Sequence, residues 1–551
     1  MSLFPIASDK AQLTTAAVDA GDCYVQGLRL NSLGTLCRAA LAGGAQYSNG
    51  LLLSNDGQVI YVDATAGLPA DANYINGLPL TAAGALCIST GATVTYSNGL
   101  PLTANGALSV DGVSSFDPAS LFAANEPGVW YDPSDMSTMF QDAAGTTPVT
   151  AVEQPVGRIL DKSGRGNHAT QTTATSRPVL SARVNLLMKT EQFDDAVWTK
   201  SNTTVSVNAA AAPDGAMTAD LVYPASTGAL RQFYNANQLL SGTTRLSICV
   251  KSAGFQWVYL MYTAGVSNIT TGSFFDIVNG VVGTNGSGAG SAYNEAITSL
   301  GNGWYRISVD IDSSDTSRRF SLGFADADNS FSATASGTSG IYIWGASLVP
   351  ANQSSLPYQR VNTATDYDAG PAFPRYLKFD GIDDSLVTPT ITPGTDKAQV
   401  FAGVRKLSDA AVAVVAELSV DAGANNGAFF LSSPTADLAA TYRWSSRGTA
   451  NSTADTAGAY AAPVTNVLTS LGDISGDLAT LRVNGTQAAQ STSDQGTGNF
   501  LAYPLYIGHR GGTSLPFNGH LYPLIVRFGP TLTEAQITQT ETWVNGKTGA
   551  F

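Results

Sequence analysis

Charge is scarce in this 551-residue chain: 13% of its residues are Asp, Glu, Lys or Arg, where about 25% is usual for a globular protein. The charge that is present leans acidic, with 42 acidic against 28 basic residues and a formal net charge of −14. A protein that tracks phosphates needs clustered Lys and Arg, so the balance speaks against nucleic acid as a partner. An acidic surface also repels anionic membranes. No run of about eighteen apolar residues occurs, so no membrane insertion is expected. The opening MSLFPIASDKAQ lacks the basic-then-apolar pattern of a secretory signal. The expectation is a chain that leaves a cell, if it leaves at all, without the usual export route.

Cysteine and histidine are almost missing. Cys23, Cys37, Cys87 and Cys249 are too few for the disulfide framework of a small secreted domain. They also lack the close pairing of a zinc site, and read as small hydrophobes. His168, His509 and His520 stand apart from one another and from every Cys. Metal or imidazole chemistry therefore starts from a weak position.

Gly, Ser, Thr, Ala and Asn fill the space that charge leaves. These residues suit turns and the solvent face of strands, so the chain is expected to be mostly β. Its length corresponds to about three to four domains.

Residues 24–108 carry four copies of one cassette: YVQGLRLNSLGTL, YSNGLLLSNDGQV, YINGLPLTAAGAL and YSNGLPLTANGAL. Each sets a Tyr three residues before a Gly and a second Gly seven residues after the first. The anchors are Tyr24, Gly27 and Gly34; Tyr47, Gly50 and Gly57; Tyr74, Gly77 and Gly84; and Tyr96, Gly99 and Gly106. Asn-Gly supplies the positive φ angles of a two-residue turn, and Leu-x-Leu after it is a period-2 strand. Each cassette thus reads as short β-hairpins too small to bury their own Leu face, which must stack on other copies, another subunit or a host particle. Two readings stand for residues 1–115: a self-contained β domain, and the favoured one, a docking or oligomerising segment whose low charge leaves an apolar surface in want of a partner.

Beyond SVDGVSSFDPASLFAANEP the chain becomes aromatic and globular. GVWYDPSDMSTMFQDAAGTTPV, ILDKSGRGNHATQ and RPVL resemble the opening of the laminin-G or concanavalin-like lectin sandwich found in bacteriophage virion proteins. The continuation that this resemblance calls for, YLKFDGIDDSLVT, arrives nearly two hundred residues later, from Tyr376. Between them, NLLMKTEQFDDAVWTKSNTTVSV through GIYIWGASLVPANQSSLPYQRV resembles the carbohydrate-binding-module-like jelly rolls of phage tail and appendage proteins. The expected architecture is mostly β: N-terminal hairpin repeats, then a lectin-like sandwich (126–184 plus 365–551) interrupted by an inserted jelly roll (185–362), closed by a short C-terminal helix.

Independent patterns agree. RISVDI alternates Ile307, Val309 and Ile311 with Arg306, Ser308 and Asp310. LATLRVNGTQAA is a hairpin turning at Asn484-Gly485. In LTEAQITQTETWVNGK, Thr533 and Gln536 make a capping box, Leu532 and Ile537 a hydrophobic staple, and Gly546 the expected stop.

Candidate chemistry is thin. Asp380, Asp383 and Asp384 in FDGIDDS form the densest carboxylate cluster. Three readings stand: a solvated turn, which is favoured, a glycosidase pair, or calcium ligands; the lectin-like resemblance adds a little to calcium, the one metal cofactor in question. DKSGRGNH and GTNGSGAGSA lack the ending of a phosphate loop, and GTSLPFNGH lacks the spacing of a nucleophile elbow. FQWVYLMY is expected to place Phe255, Trp257, Tyr259 and Met261 on one side of a strand. Trp257 and Tyr259 are then the candidates for stacking on a glycan, against the commoner role of core aromatics. Trp198, Trp304 and Trp344 are expected to be structural.

The resemblances imply a non-enzymatic structural protein of a virion, assembled in the host cytoplasm: a tail fibre or tail-associated appendage used in host attachment. Its partners would be other virion proteins (tail, portal-proximal or capsid), further copies of itself as a homotrimer, and host-surface polysaccharide. A capsid decoration or head fibre protein and a polysaccharide-degrading tailspike enzyme are the alternatives; a cellular adhesin lacks an export signal.

Overall fold

The computed structural model describes residues 116–235, 242–263, 272–285, 292–313 and 319–551, with two short strands before them, Tyr47–Ser48 and Tyr74–Ile75. The chain divides into two compact units, Met1–Asp117 and Pro118–Phe551. In the first, Tyr47 and Tyr74 hold equivalent places in the second and third cassettes, and they pair in parallel register, with Ser48 against Ile75. The other anchors, Tyr24, Gly27, Gly34, Gly50, Gly57, Gly77, Gly84, Tyr96, Gly99 and Gly106, lie outside the described residues.

The second unit is mostly β, built from four large sheets. Two six-stranded sheets use only strands from Trp198–Ser201 to Gly340–Pro350. They face each other across a core that includes Phe233, Ile248, Val258, Phe275, Ile307 and Leu322. Strand Trp304–Ser313 sends Ile307, Val309 and Ile311 into that core, because a strand turns alternate side chains to opposite faces. Asp310, on the other face, accepts two hydrogen bonds from the Arg245 guanidinium at 2.6 and 2.7 Å.

An eight-stranded and a nine-stranded sheet use strands on both sides of that stretch, from Gly128–Tyr131 to Val179–Ser181 and from Tyr376–Asp380 to Asn518–Phe528. Strand Lys397–Lys406 sends Ala398, Val400, Ala402 and Val404 into their common core, which also holds Phe429, Trp444 and Leu505. Val179–Ser181 and Tyr376–Asp380 are neighbours in antiparallel register, Ser181 opposite Tyr376. The two six-stranded sheets therefore occupy the place of a hairpin loop. Neighbouring strand ends suit such an arrangement, since the chain leaves and re-enters at nearly one point.

The hairpin at 484–485 forms as its sequence dictates, with Asn484 at φ 52° and Gly485 at φ 77°. The C-terminal helix spans Glu534–Thr548, capped by the reciprocal Thr533 and Gln536 hydrogen bonds. Leu532 and Ile537 are both buried. Gly546 does not end the helix. The chain continues to Gly549, which takes the left-handed φ of 61° and donates its N–H to the Asn545 carbonyl. Packing supplies the extra turn: Val544 and Thr548 are buried, and Lys547 donates to Ser134 Oγ at 2.7 Å.

Candidate functional site

The acidic turn joins strands Tyr376–Asp380 and Leu386–Ile391. Asp380 Oδ1 accepts the N–H groups of Ile382 (2.8 Å) and Asp383 (3.3 Å), which fixes the turn. Asp384 Oδ2 accepts the Asp380 N–H at 3.0 Å, and Ser176 Oγ donates to Asp383 Oδ2 at 2.7 Å. One carboxylate oxygen from each of the three lies within 4.8 Å of the others. Burial, reinforced by the charges of Asp380 and Asp383, raises the Asp384 carboxyl to about 7. Three such oxygens suit a hard cation, although calcium takes about six to eight. The turn alone supplies part of a shell. His509 stands near it, 4% exposed, with its basicity lowered by burial against the pull of Asp383 and Asp380.

The aromatic strand, Trp257–Thr263, lies in the second six-stranded sheet. Phe255 falls before it and packs into the inter-sheet core against Phe324, at a ring separation of 5.2 Å. The alternation begins only at Trp257, so Phe255 does not share the face of Tyr259. That face points away from the inter-sheet core, as a stacking platform would require, but it is covered. Phe331 crosses Tyr259 edge-on at 4.9 Å, Phe274 lies at 5.7 Å, and Tyr259 has no exposed surface. Its ring fills the space left by the missing side chain of Gly323. Tyr259 is thus a packing residue in this structure, while Trp257 stays half-buried at the rim of the same cluster. Trp198, Trp304 and Trp344 each donate their indole N–H within the fold, to Lys189 O, Ala211 O and Thr218 Oγ1.

A third place emerges where the six-stranded pair meets the eight-stranded sheet. Gln353 Nε2 donates to Thr548 O at 3.2 Å, Asn352 Nδ2 donates to Gly549 O, and Tyr376 OH donates to Arg183 O at 2.8 Å. Two cavities of about 250 Å3 each open at this seam, and Leu186, Pro350 and Arg405 line both. Arg405 is 8% exposed, donates to Thr465 Oγ1 at 3.1 Å, and has no ion pair among the described residues. In the second cavity His520 stacks on Tyr376, centroids 3.8 Å apart and planes 9° from parallel. Its Nδ1 is buried without a hydrogen-bond partner among the described residues. Burial first, then Arg405 and Lys378, hold the imidazole well below its usual basicity, so it is neutral. Arg183, Lys378 and Arg405 set three positive charges in this lining against one, Glu153. Glu153 Oε1 accepts from Ser181 Oγ (2.8 Å) and Tyr367 OH (2.5 Å).

Sequence reasoning missed this seam because its residues come from many separated stretches between Glu153 and Ala550. The available signal was Arg405, a charge directly after the apolar run AQVFAGV, on a strand whose opposite face is core.

No protein-family model and no curated protein matches the chain. Among solved structures it is similar to a Ruminococcus gnavus IT-sialidase CBM40 bound to α2,3-sialyllactose: 19% identity over 26% of this chain and 82% of that one, TM-score 0.22. It is also similar to the binding domain of botulinum neurotoxin serotype D (13% identity, 30% of this chain and 42% of that one, TM-score 0.25). A leech intramolecular trans-sialidase matches at 15% identity over 27% of this chain and 23% of that one, TM-score 0.22. At these scores the likeness carries no functional argument.

Proposed function

We propose that the chain is a non-catalytic, glycan-binding structural protein, a tail fibre or tail-associated appendage of a bacteriophage virion that attaches through its N-terminal repeats and meets host-surface polysaccharide with its sandwiches. One observation carries the binding part: a two-sheet sandwich set into a hairpin of another, fastened at its base by Gln353 to Thr548, with Arg405 lining both cavities at the seam. That is a fixed recognition surface. The carboxylates that would serve a glycosidase crowd into one short turn, with oxygens within 4.8 Å, instead of flanking a groove at about 5 Å or more. The virion placement is supported by the two sequence resemblances, and the attachment role by the cassettes' repeated, nearly uncharged pattern.

Two experiments test it. Purified protein should retain polysaccharide from the host surface on a binding array without shortening it; release of shortened chains would replace the binder with a depolymerase. Antibody labelling of intact particles should decorate the tail, and label confined to the head would move the protein to the capsid.

A further inference from the structure

The seam cavities hold a buried cation, Arg405, that has no ion pair among the described residues. A guanidinium withdrawn from water is costly unless it is paired, and a single neutral hydroxyl, Thr465 Oγ1, does not supply a counter-charge. The carboxylate in the lining, Glu153, accepts hydrogen bonds from Ser181 Oγ and Tyr367 OH. Lys378, exposed at the rim, adds a second positive charge without an ion pair of its own among the described residues.

We infer that the two cavities flanking Arg405 form a binding site for a carboxylate-bearing sugar residue, with the carboxylate against Arg405 and the ring lying along the seam. The inference rests on the glycan-binding reading and narrows it to acidic saccharides. A guanidinium fork matches a carboxylate with two parallel hydrogen bonds, which a lysine cannot do. His520 Nδ1 is a buried polar atom awaiting a partner in the same cavity. Each cavity, at about 250 Å3, is smaller than the roughly 300 Å3 at which pockets for drug-sized ligands begin, which suits one sugar unit. A bare phosphate would meet Arg405 equally well but leave the walls beyond it, at Asn352 and Gln353, unused.

The test is calorimetric titration of the full chain with glucuronate, glucose and inorganic phosphate, repeated with Arg405→Gln and Lys378→Gln. Glucuronate should bind, with glucose at least tenfold weaker; Arg405→Gln should weaken glucuronate at least tenfold, and Lys378→Gln severalfold at an unchanged Tm. Glucose binding as tightly as glucuronate, or unaltered affinity in Arg405→Gln, would overturn the site. Phosphate binding as tightly as glucuronate would overturn the sugar. If Arg405→Gln does not fold, the exposed Lys378→Gln decides, and unchanged affinity there counts against the inference. Host polysaccharide bound equally by wild type and Arg405→Gln sinks this inference alone. Glucuronate bound without any retention of host polysaccharide sinks the broader reading alone.

Discussion

Ser181 and Tyr376 face each other across an antiparallel ladder although 195 residues separate them, and Tyr376 OH reaches back to the Arg183 carbonyl at 2.8 Å. Their pairing makes the sandwich around them independent of what lies between. The core of that sandwich takes no residue from 185–362. Excising 185–362 and joining the ends with a short linker should therefore leave a soluble protein that melts in one transition with a β-type circular dichroism spectrum. Aggregation would show that the outer sandwich needs the cover that Val349 and Val361 give to Ala182, Val184, Tyr367 and Phe373.

The helix end offers a sharper trial. Gly546 lies inside the helix, and nothing stands within 4 Å of where its Cβ would be. Gly546→Ala should stabilise by about 1 kcal/mol, the usual difference between the two residues in a helix interior. Gly549 sits at φ 61°, where a Cβ costs about 1–2 kcal/mol, so Gly549→Ala should move the urea midpoint the opposite way. Equal shifts in one direction would mean that the helix ends elsewhere.

The fold was legible wherever a single segment holds its own reason. Ile307, Val309 and Ile311 alternate into the core, Asn484-Gly485 turns a hairpin, and Thr533 caps the helix with Gln536. What was not legible depends on partners distant in the chain. Tyr259 looked available because nothing near it says that Phe331 will lie across its ring. Gly546 looked like a stop because the contacts of Lys547 with Ser134 and Asp132 cannot be seen from the helix sequence. The acidic turn was readable as a cluster, but the burial that changes Asp384 comes from the surrounding sheets. Arg405 and His520 meet only after the strands Lys397–Lys406 and Asn518–Phe528 pair, with Arg405 opposite His520.

Tyr259 OH is buried without a hydrogen-bond partner among the described residues. Leaving a buried hydroxyl unsatisfied costs about 1–3 kcal/mol, so Tyr259→Phe should be neutral or stabilising by on the order of 1 kcal/mol. It should also leave glycan binding unchanged, because the ring is covered. A drop in glycan affinity in a variant that is equally stable would return Tyr259 to the list of contacts.

Glu541, 2% exposed, accepts two hydrogen bonds from Arg482 at 2.8 and 3.1 Å, tying the helix to strand Leu478–Val483. Arg482 also pairs with the exposed Glu534 at 2.9 Å, so removing Glu541 takes away one of its two partners. Glu541→Ala should cost about 1–3 kcal/mol in chemical unfolding. A loss below about 1 kcal/mol would show that water replaces the carboxylate and that the helix is held by its apolar face alone.

Asp384 makes stability depend on pH in a stated direction. Its carboxyl titrates near 7 in the folded chain because burial, with Asp380 and Asp383 beside it, disfavours the charge, whereas an unfolded Asp titrates near about 3.9. Between these values the folded state binds the extra proton, so the contribution is complete below about pH 4 and is lost as pH rises toward 7. The slope from one such group is at most about 1.4 kcal/mol per pH unit. Asp384→Asn, which keeps an oxygen to accept the Asp380 N–H, removes the titration. Unfolding measured at pH 5, 6, 7 and 8 should show wild type losing stability relative to the variant across the first three points and levelling beyond. A constant difference across all four would mean that Asp384 is already ionised at pH 5 and that the turn is more open to water than its burial shows.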